Sequence, residues 1–148
     1  MNQTAPLIYV VEDNNGIRSL LEEVLSEPGY RVLGCPTAHE AQFCIQAERP
    51  DLLLLDNHLE YYAAGWHLLS ELRAHRATTT LPIILMSVDV AFLREHCVEL
   101  HAQRCLAIEK PFDLDDMLTT VYAALGVVPA ELNIGSGEAA GRRWWYGG

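Results

Sequence analysis

Five short apolar runs recur through the first 125 residues, and each is followed by a segment with helical periodicity. The runs are LIYVV at 7–11, YRVLGC at 30–35, DLLLL at 51–55, PIILM at 82–86 and CLAI at 105–108. Because they are mostly continuous and rich in Val, Ile and Leu, they are typical of strands that are covered on both faces. Their alternation with helices predicts an α/β fold, a parallel sheet with helices on both faces and right-handed crossovers.

The helical segments between these runs carry recognisable start signals. Thr37 and Glu40 have the spacing of a capping box and open the second segment. Gly65 precedes the third, and Asp89 and Asp113 are candidate N-caps of the fourth and fifth. The fourth segment is predicted as one helix, with the apolar stripe Val90, Leu93, Cys97 and Leu100.

Length and composition limit the classes of protein that the chain can belong to. A chain of 148 residues predicts one domain, and no apolar run approaches the roughly 18 residues that span a bilayer. The N-terminal stretch MNQTAPLIYVVED lacks the basic start and the cleavage site of a secretory signal. A formal net charge of −10 repels nucleic acid phosphates. We therefore expect a cytoplasmic protein without direct nucleic acid or membrane partners.

The last part of the chain differs from the rest. Residues 126–148 contain many glycines and no clear period, which predicts a linker-like tail after a domain at residues 1–125. Within this tail, RRWWY at 142–146 is a basic and aromatic cluster. Docking of a partner, self-association and a disordered tail are all open interpretations of this cluster.

The four cysteines, Cys35, Cys44, Cys97 and Cys105, form no CxxC pair. The lack of ligand spacing argues against a zinc site. We interpret these residues as reduced, small hydrophobic side chains.

Polar side chains follow four of the five apolar runs, at the points where the strands are predicted to end. The four groups are Glu12 and Asp13; Asp56, Asn57 and His58; Ser87, Val88 and Asp89; and Glu109, Lys110 and Pro111. Parallel α/β sheets bind ligands at the carboxyl ends of their strands, near a topological switch point. We therefore expect these groups to form one site.

The acidic residues of this site predict a bound cation. Three carboxylates in one place repel one another unless their pKa values rise or a cation lies among them. Glu12, Asp13 and Asp56, with the backbone carbonyl of His58, offer the hard oxygen ligands that Mg²⁺ prefers.

A lysine and a serine at the same site could bind the oxygens of a phosphoryl group. With a metal bound, the Asp56 carboxylate can act as a nucleophile toward a phosphoryl group. The ammonium of Lys110 and the hydroxyl of Ser87 could each contact a phosphoryl oxygen. The residue types therefore predict phosphoryl transfer.

These residues together resemble the receiver domain of a two-component response regulator, of the kind found in chemotaxis regulators. The match rests on Glu12 and Asp13, on Asp56, on Ser87 and on EKPF at 109–112, and it covers about residues 6–125. The resemblance implies a single flavodoxin-like (βα)5 domain, doubly wound, with strand order 2-1-3-4-5.

The resemblance also implies a function. Asp56 would accept a phosphoryl group from a phosphohistidine of a sensor histidine kinase or a phosphotransfer protein. Mg²⁺ would be bound by Asp13, Asp56 and the His58 carbonyl, with Glu12 assisting through water. Such a domain is a phosphoacceptor, with at most self-catalysed phosphotransfer and autodephosphorylation, rather than an enzyme. It signals through protein contacts, and its further partners are a downstream target protein and a second copy in a homodimer.

Three positions depart from the pattern of the family. Lys110 and Ser87 would normally report phosphorylation to the face around the fourth helix and the fifth strand. However, Ala107 stands where an aromatic switch residue is usual, Val88 stands where a small residue is usual, and Glu60 stands where proline is frequent. A second hypothesis is therefore a receiver-like interaction module that works without phosphorylation.

Overall fold

The computed structural model describes residues 4–127, which form a five-stranded sheet and six helices. The strands are β1 Leu7–Val11, β2 Arg31–Cys35, β3 Leu52–Asp56, β4 Ile83–Ser87 and β5 Cys105–Glu109. The helices are α1 Asn15–Ser26, α2 Ala38–Glu48, α3 Ala64–Ala74, α4 Val90–Glu95, α5 Cys97–Ala102 and α6 Leu114–Leu125. The predicted tail lies outside the described residues from position 128 onward, and so does its RRWWY cluster.

The sheet is parallel throughout, with strand order β2-β1-β3-β4-β5. The chain first adds β2 on one side of β1 and then adds β3, β4 and β5 on the other side. The change of direction places a topological switch point between β1 and β3. The predicted flavodoxin-like fold and strand order are therefore confirmed.

The four consecutive leucines of β3 are explained by the two layers of helices. Leu53 and Leu55 belong to the core that α2 and α3 cover, whereas Leu52 and Leu54 belong to the core under α1 and α6. Side chains alternate between the faces of a strand, so a central strand needs apolar residues at every position. Each of these four side chains is fully buried.

The edge strand β2 differs from the prediction. It lies beside β1 alone and shows alternating exposure, with Leu33 42% exposed. An edge strand has fewer helices above it than a central strand, so a continuous apolar run in the sequence overstated its burial.

The fourth predicted helix is in fact two short helices, α4 and α5, so the prediction of a single helix was wrong. His96 lies between them with φ −107° and ψ 15°, outside the helical range. Its ring Nδ1 lies 2.9 Å from the Phe92 carbonyl oxygen, and its ring stacks on that of Phe92 with 4.1 Å between centroids. As a result Leu93 and Leu100 face the core, whereas Cys97 is exposed.

The predicted helix caps are confirmed. Thr37, Asp89 and Asp113 each accept the backbone N–H three residues later, at 2.8–3.1 Å. Asn14, which was not predicted as a cap, caps α1 in the same way at 2.9 Å. These side chains satisfy amides that have no partner inside their own helix.

All four cysteines are free thiols, with Cys35 and Cys105 buried. Among residues 4–127, the helices are too short or too polar for one of them to cross a bilayer.

Candidate metal centre

The carboxylates predicted to share a site do so, at the carboxyl edge of the sheet. Glu12 and Asp13 directly follow β1, and Asp56 is the last residue of the neighbouring strand β3. One oxygen of each carboxylate lies within 4.8 Å of the others. Glu12 is 1% exposed and Asp56 6% exposed, whereas Asp13 reaches solvent. Two buried acids and one exposed acid thus form a single cluster.

Lys110, which directly follows the edge strand β5, reaches this acidic cluster with its side chain. Its Nζ donates to Glu12 Oε1 at 2.8 Å and to Asp56 Oδ1 at 3.3 Å. The backbone of Lys110 is held in place as well, because its N–H donates to the Ser87 carbonyl at the end of β4. The ammonium group therefore bridges the two buried carboxylates.

The electrostatics of the cluster are unfavourable for ionised Asp56. Burial and the neighbouring Glu12 charge raise the pKa of Asp56 to about 7, although Lys110 opposes the shift. Burial also disfavours the charge of Lys110, but the hydrogen bond to Glu12 and the charge of Asp56 outweigh it and raise the pKa of Lys110. One ammonium group does not balance the charge of three carboxylates, so a further cation would stabilise their ionised forms.

Ser87 lies at the end of β4, one residue after Met86, which is the register partner of Asp56. Its side chain is fully buried. The Ser87 Oγ accepts the N–H of Asp89 at 3.0 Å, and the hydroxyl proton is not used in that bond. The structure thus places Ser87 on the strand next to Asp56 with a donor to spare.

The loop that connects Asp56 to α3 is folded tightly against the strand end. The Asn57 N–H donates to Met86, and the Asn57 carbonyl accepts the N–H of Gly65 at 2.9 Å. Its side-chain Oδ1 accepts the N–H of Trp66 at 3.1 Å. Gly65 lies inside α3 rather than before it, and a Cβ there would lie 2.1 Å from the carbonyl oxygen of Asp56. Only glycine permits this approach.

The His58 side chain contacts its own loop and Asp89. Its Nδ1 accepts the N–H of Ala63 at 3.2 Å, and its ring stacks on Tyr62 at 4.6 Å between centroids. Its Nε2 lies 3.9 Å from Asp89 Oδ2. The Nδ1 atom of His58 is therefore engaged with the loop rather than with the acidic cluster.

Glu60 has a role that the sequence analysis did not predict. Its carboxylate accepts the N–H of Ala38 at 2.8 Å and that of His39 at 2.9 Å, in the first turn of α2. Although burial disfavours its charge, these backbone hydrogen bonds lower the pKa of Glu60. The nearest sequence signal was the acidic residue itself, at a position where proline is frequent.

The other two departures from the family pattern are also located. Ala107 is fully buried in β5, and Val88, which directly follows β4, is 64% exposed.

The comparison with protein families decides the affiliation. The sequence model of the response regulator receiver domain matches residues 8–122. The chain belongs to the response regulator receiver domain family. This receiver domain thus carries its acidic cluster at the carboxyl edge of a sheet whose order the family resemblance had implied.

Among curated proteins, this receiver domain is 31% identical over 114 residues to sporulation initiation phosphotransferase F of Bacillus subtilis, which covers 77% of this chain and 89% of the relative. It is 39% identical over 80 residues to the transcriptional regulatory protein KdpE of Staphylococcus aureus, which covers 54% of this chain. It spans 33% of the length of KdpE and 55% of that of another such regulator, YxdJ of Bacillus subtilis.

Solved structures show the same fold. The receiver domain of NtrX from Brucella abortus is 28% identical, with a TM-score of 0.70 over 82% of this chain and 99% of that one. The receiver domain of a sensor histidine kinase from Pseudomonas aeruginosa is 25% identical, with a TM-score of 0.72 over 82% and 98% of the chains. A magnesium ion is coordinated in the active-site cleft of the latter.

The acidic cluster fits a magnesium ion. Glu12, Asp13 and Asp56 offer hard oxygen ligands within 4.8 Å of one another, and Asp13 keeps the cluster open to water. In proteins Mg²⁺ is usually bound by one or two carboxylates and keeps several waters. A cluster of acids with one exposed member agrees with this coordination.

Proposed function

We propose that this receiver domain accepts a phosphoryl group on Asp56 from a phosphohistidine, in a reaction that requires Mg²⁺. The observation that carries the proposal is the contact of one ammonium group, that of Lys110, with two buried carboxylates, Glu12 and Asp56. A buried acid with a raised pKa beside a fixed cation is typical of a functional site.

The chemical step falls to Asp56. One of its carboxylate oxygens attacks phosphorus, the bond from phosphorus to the donor imidazole nitrogen breaks, and the imidazole leaves with the bonding electron pair. The attacking group must be ionised, so conditions that keep Asp56 deprotonated favour the reaction. Its position at the end of β3 fixes the nucleophile on a rigid element.

Lys110 and Ser87 stabilise the transferred group. The Lys110 ammonium already contacts Asp56 Oδ1 and can move to an equatorial phosphoryl oxygen without leaving Glu12. The Ser87 hydroxyl keeps its Asp89 contact as an acceptor and can donate its proton to a second oxygen. These two contacts neutralise charge that develops in the transition state.

The metal ligands would be Asp13, Asp56 and the backbone carbonyl of His58, with Glu12 assisting through water. Bound there, Mg²⁺ neutralises charge on the carboxylates and the phosphoryl oxygens. Glu12 and Asp13 directly follow β1, so the end of that strand positions both side chains.

We infer the partners from the same chemistry. The donor is a sensor histidine kinase or a phosphotransfer protein, and the readers of the signal are a downstream target protein or a second copy in a homodimer. The match to most of the length of sporulation initiation phosphotransferase F supports a role in relaying phosphoryl groups. The receiver is a phosphoacceptor in the cytoplasm rather than an enzyme that turns over other substrates.

The proposal is tested by incubating the protein with acetyl phosphate, with and without Mg²⁺, and measuring the intact mass. We expect the mass of one phosphoryl group to be added only when Mg²⁺ is present. Asp56→Asn removes the nucleophile but keeps the shape of the side chain, so it should add no mass. A gain of the same mass by Asp56→Asn would refute the assignment of Asp56.

A second function, binding of a partner without phosphorylation, is favoured by one observation. Ala107 fills a buried position where the family usually carries an aromatic switch residue. If this function holds, the affinity for a partner is the same with and without beryllofluoride, a mimic of the phosphoryl group. A difference in affinity supports the phosphorylation-dependent function instead.

A further inference from the structure

The carboxylate of Glu60 joins two elements that are distant in the sequence. It lies in the loop between β3 and α3, yet its Oε1 and Oε2 each accept one amide of α2, those of Ala38 and His39. Amides in the first turn of a helix have no intrahelical partner, and the positive end of the helix dipole attracts a carboxylate. Thr37 caps a different amide, that of Glu40, so the two side chains share the work of capping α2.

The same loop carries the predicted metal ligand. It begins at Asn57, whose backbone is fixed to β4 and to Gly65. It ends at Ala63, which adopts the left-handed conformation with φ 61° and donates its N–H to His58. An alanine in this conformation is strained, so surrounding contacts must hold it there. Between these two ends, Glu60 ties the loop to α2, while His58 and Tyr62 contact Asp89 and Phe92 at the start of α4.

We propose that Glu60 is a positioning residue for the metal centre, because it holds the loop in which the carbonyl of His58 lies two residues away. The inference rests on the proposed function, since it takes the His58 carbonyl as a ligand. A loop held in the binding conformation before the metal arrives loses less conformational freedom on binding. The carboxylate also makes α2 sensitive to the site, because any movement of the loop must strain or break its bonds to Ala38 and His39.

The chain offers a matched control for this proposal. Thr37→Ala removes a cap from the same helix but leaves the loop bonded to α2, whereas Glu60→Ala removes a cap together with the hydrogen bonds between the loop and α2. Both variants should lower the melting temperature, because both leave amides of α2 without an acceptor. Of these two variants, only Glu60→Ala should change binding of the metal. Glu60→Gln keeps one carbonyl acceptor and should give an intermediate result.

The experiment is a titration of the full chain and the three variants with MgCl2. Calorimetry measures the Kd, and ¹H–¹⁵N spectra record the shifts of the amide resonances. We expect Glu60→Ala to raise the Kd for Mg²⁺ by about 10-fold, and Thr37→Ala to leave it within about 2-fold of the wild-type value. In the wild-type protein the Ala38 and His39 resonances should shift as Mg²⁺ binds. In Glu60→Ala those shifts should be lost.

The outcomes separate this inference from the proposed function. An unchanged Kd in Glu60→Ala, with wild-type binding and phosphorylation of Asp56 intact, overturns the inference alone. Equal weakening by Thr37→Ala also overturns it, because the effect would then come from the stability of α2. If the wild-type protein binds no Mg²⁺, both the inference and the proposed function fall.

Discussion

Gly65 approaches Asp56 so closely that a Cβ on the glycine would lie 2.1 Å from the Asp56 carbonyl oxygen. The same Cβ would lie 2.9 Å from the Cα of Asn57. Both neighbours are backbone atoms, which cannot rotate away as the end of a side chain can. The start of α3 is therefore packed directly against the strand end that carries the proposed phosphoryl acceptor.

We expect Gly65→Ala to destabilise the protein by about 2–4 kcal/mol, because either α3 or the end of β3 must shift. Mg²⁺ binding should weaken at the same time, since the shift moves Asp56. Urea denaturation measures the first effect and calorimetric titration the second. Gly16→Ala is the control, because a Cβ there meets only a side-chain oxygen of Asn14 at 3.3 Å. A Gly65→Ala variant as stable as Gly16→Ala would contradict the packing.

The raised pKa of Asp56 predicts a dependence of stability on pH. Folding lifts this pKa from 3.8 to about 7, so between these values the folded state holds a proton that the unfolded state has lost. The free energy of unfolding of the metal-free protein should therefore fall as pH rises through this window, and the loss is complete above about pH 7.

Asp56→Asn should remove this loss, because asparagine does not titrate. At pH 8 without metal we expect the variant to be about 1–3 kcal/mol more stable than the wild type, and at pH 3.5 the two should differ little. Urea denaturation at both pH values measures the difference. Saturating Mg²⁺ should stabilise the wild type more than the variant. A wild type that is more stable than Asp56→Asn at pH 8 without metal would contradict the raised pKa of Asp56.

Lys110 should matter for stability as well as for chemistry. Replacing it with methionine keeps the length of the stem but leaves Glu12 and Asp56 facing each other without a cation. We expect a loss of about 1–3 kcal/mol at pH 8, shrinking at lower pH as Asp56 takes up a proton. Lys110→Arg, which retains the charge, should lose less. Equal losses in the two variants would show that packing rather than charge explains the effect.

Much of this fold follows from local pattern. The apolar runs give the five strands because a buried strand must be apolar, and Leu52–Leu55 are apolar throughout because β3 has helices on both sides. The N-caps at Thr37, Asp89 and Asp113 could be predicted because a cap and its amide are three residues apart. The clustering of Glu12, Asp13 and Asp56 followed once parallel strands were assumed, since their ends meet at one edge.

The features that could not be predicted depend on contacts between distant residues. Glu60 bonds to amides 21 and 22 residues away, and no spacing in the sequence marks that pair. The break at His96 coincides with ring contacts to distant and local residues, since His96 stacks on Phe92 and meets Trp66 edge-on, whereas the apolar stripe across the break continues in helical spacing. The exposure of Leu33 depends on β2 being an edge strand, which an apolar run alone does not reveal.

The Ser87 hydroxyl should assist phosphorylation of Asp56 without being required for it. Ser87→Ala removes a buried hydroxyl and leaves the Asp89 amide without its acceptor, so we expect a loss of about 1 kcal/mol in stability. Phosphorylation of Asp56 should persist at a reduced rate, because Lys110 remains. Ser87→Thr, which keeps the hydroxyl, should retain the wild-type rate. Intact mass followed over time after addition of acetyl phosphate measures these rates, and complete loss of uptake in Ser87→Ala would contradict the division of roles.

Phosphorylation of Asp56 is tested by locating the phosphoryl group in the chain. After treatment with acetyl phosphate and Mg²⁺, borohydride reduction converts a phosphorylated aspartate to homoserine, which peptide mass spectrometry identifies by position. We expect homoserine at position 56 in the wild type and in the control Asp115→Asn, and none when Mg²⁺ is omitted. Homoserine at another aspartate, or uptake that ignores Mg²⁺, would contradict it.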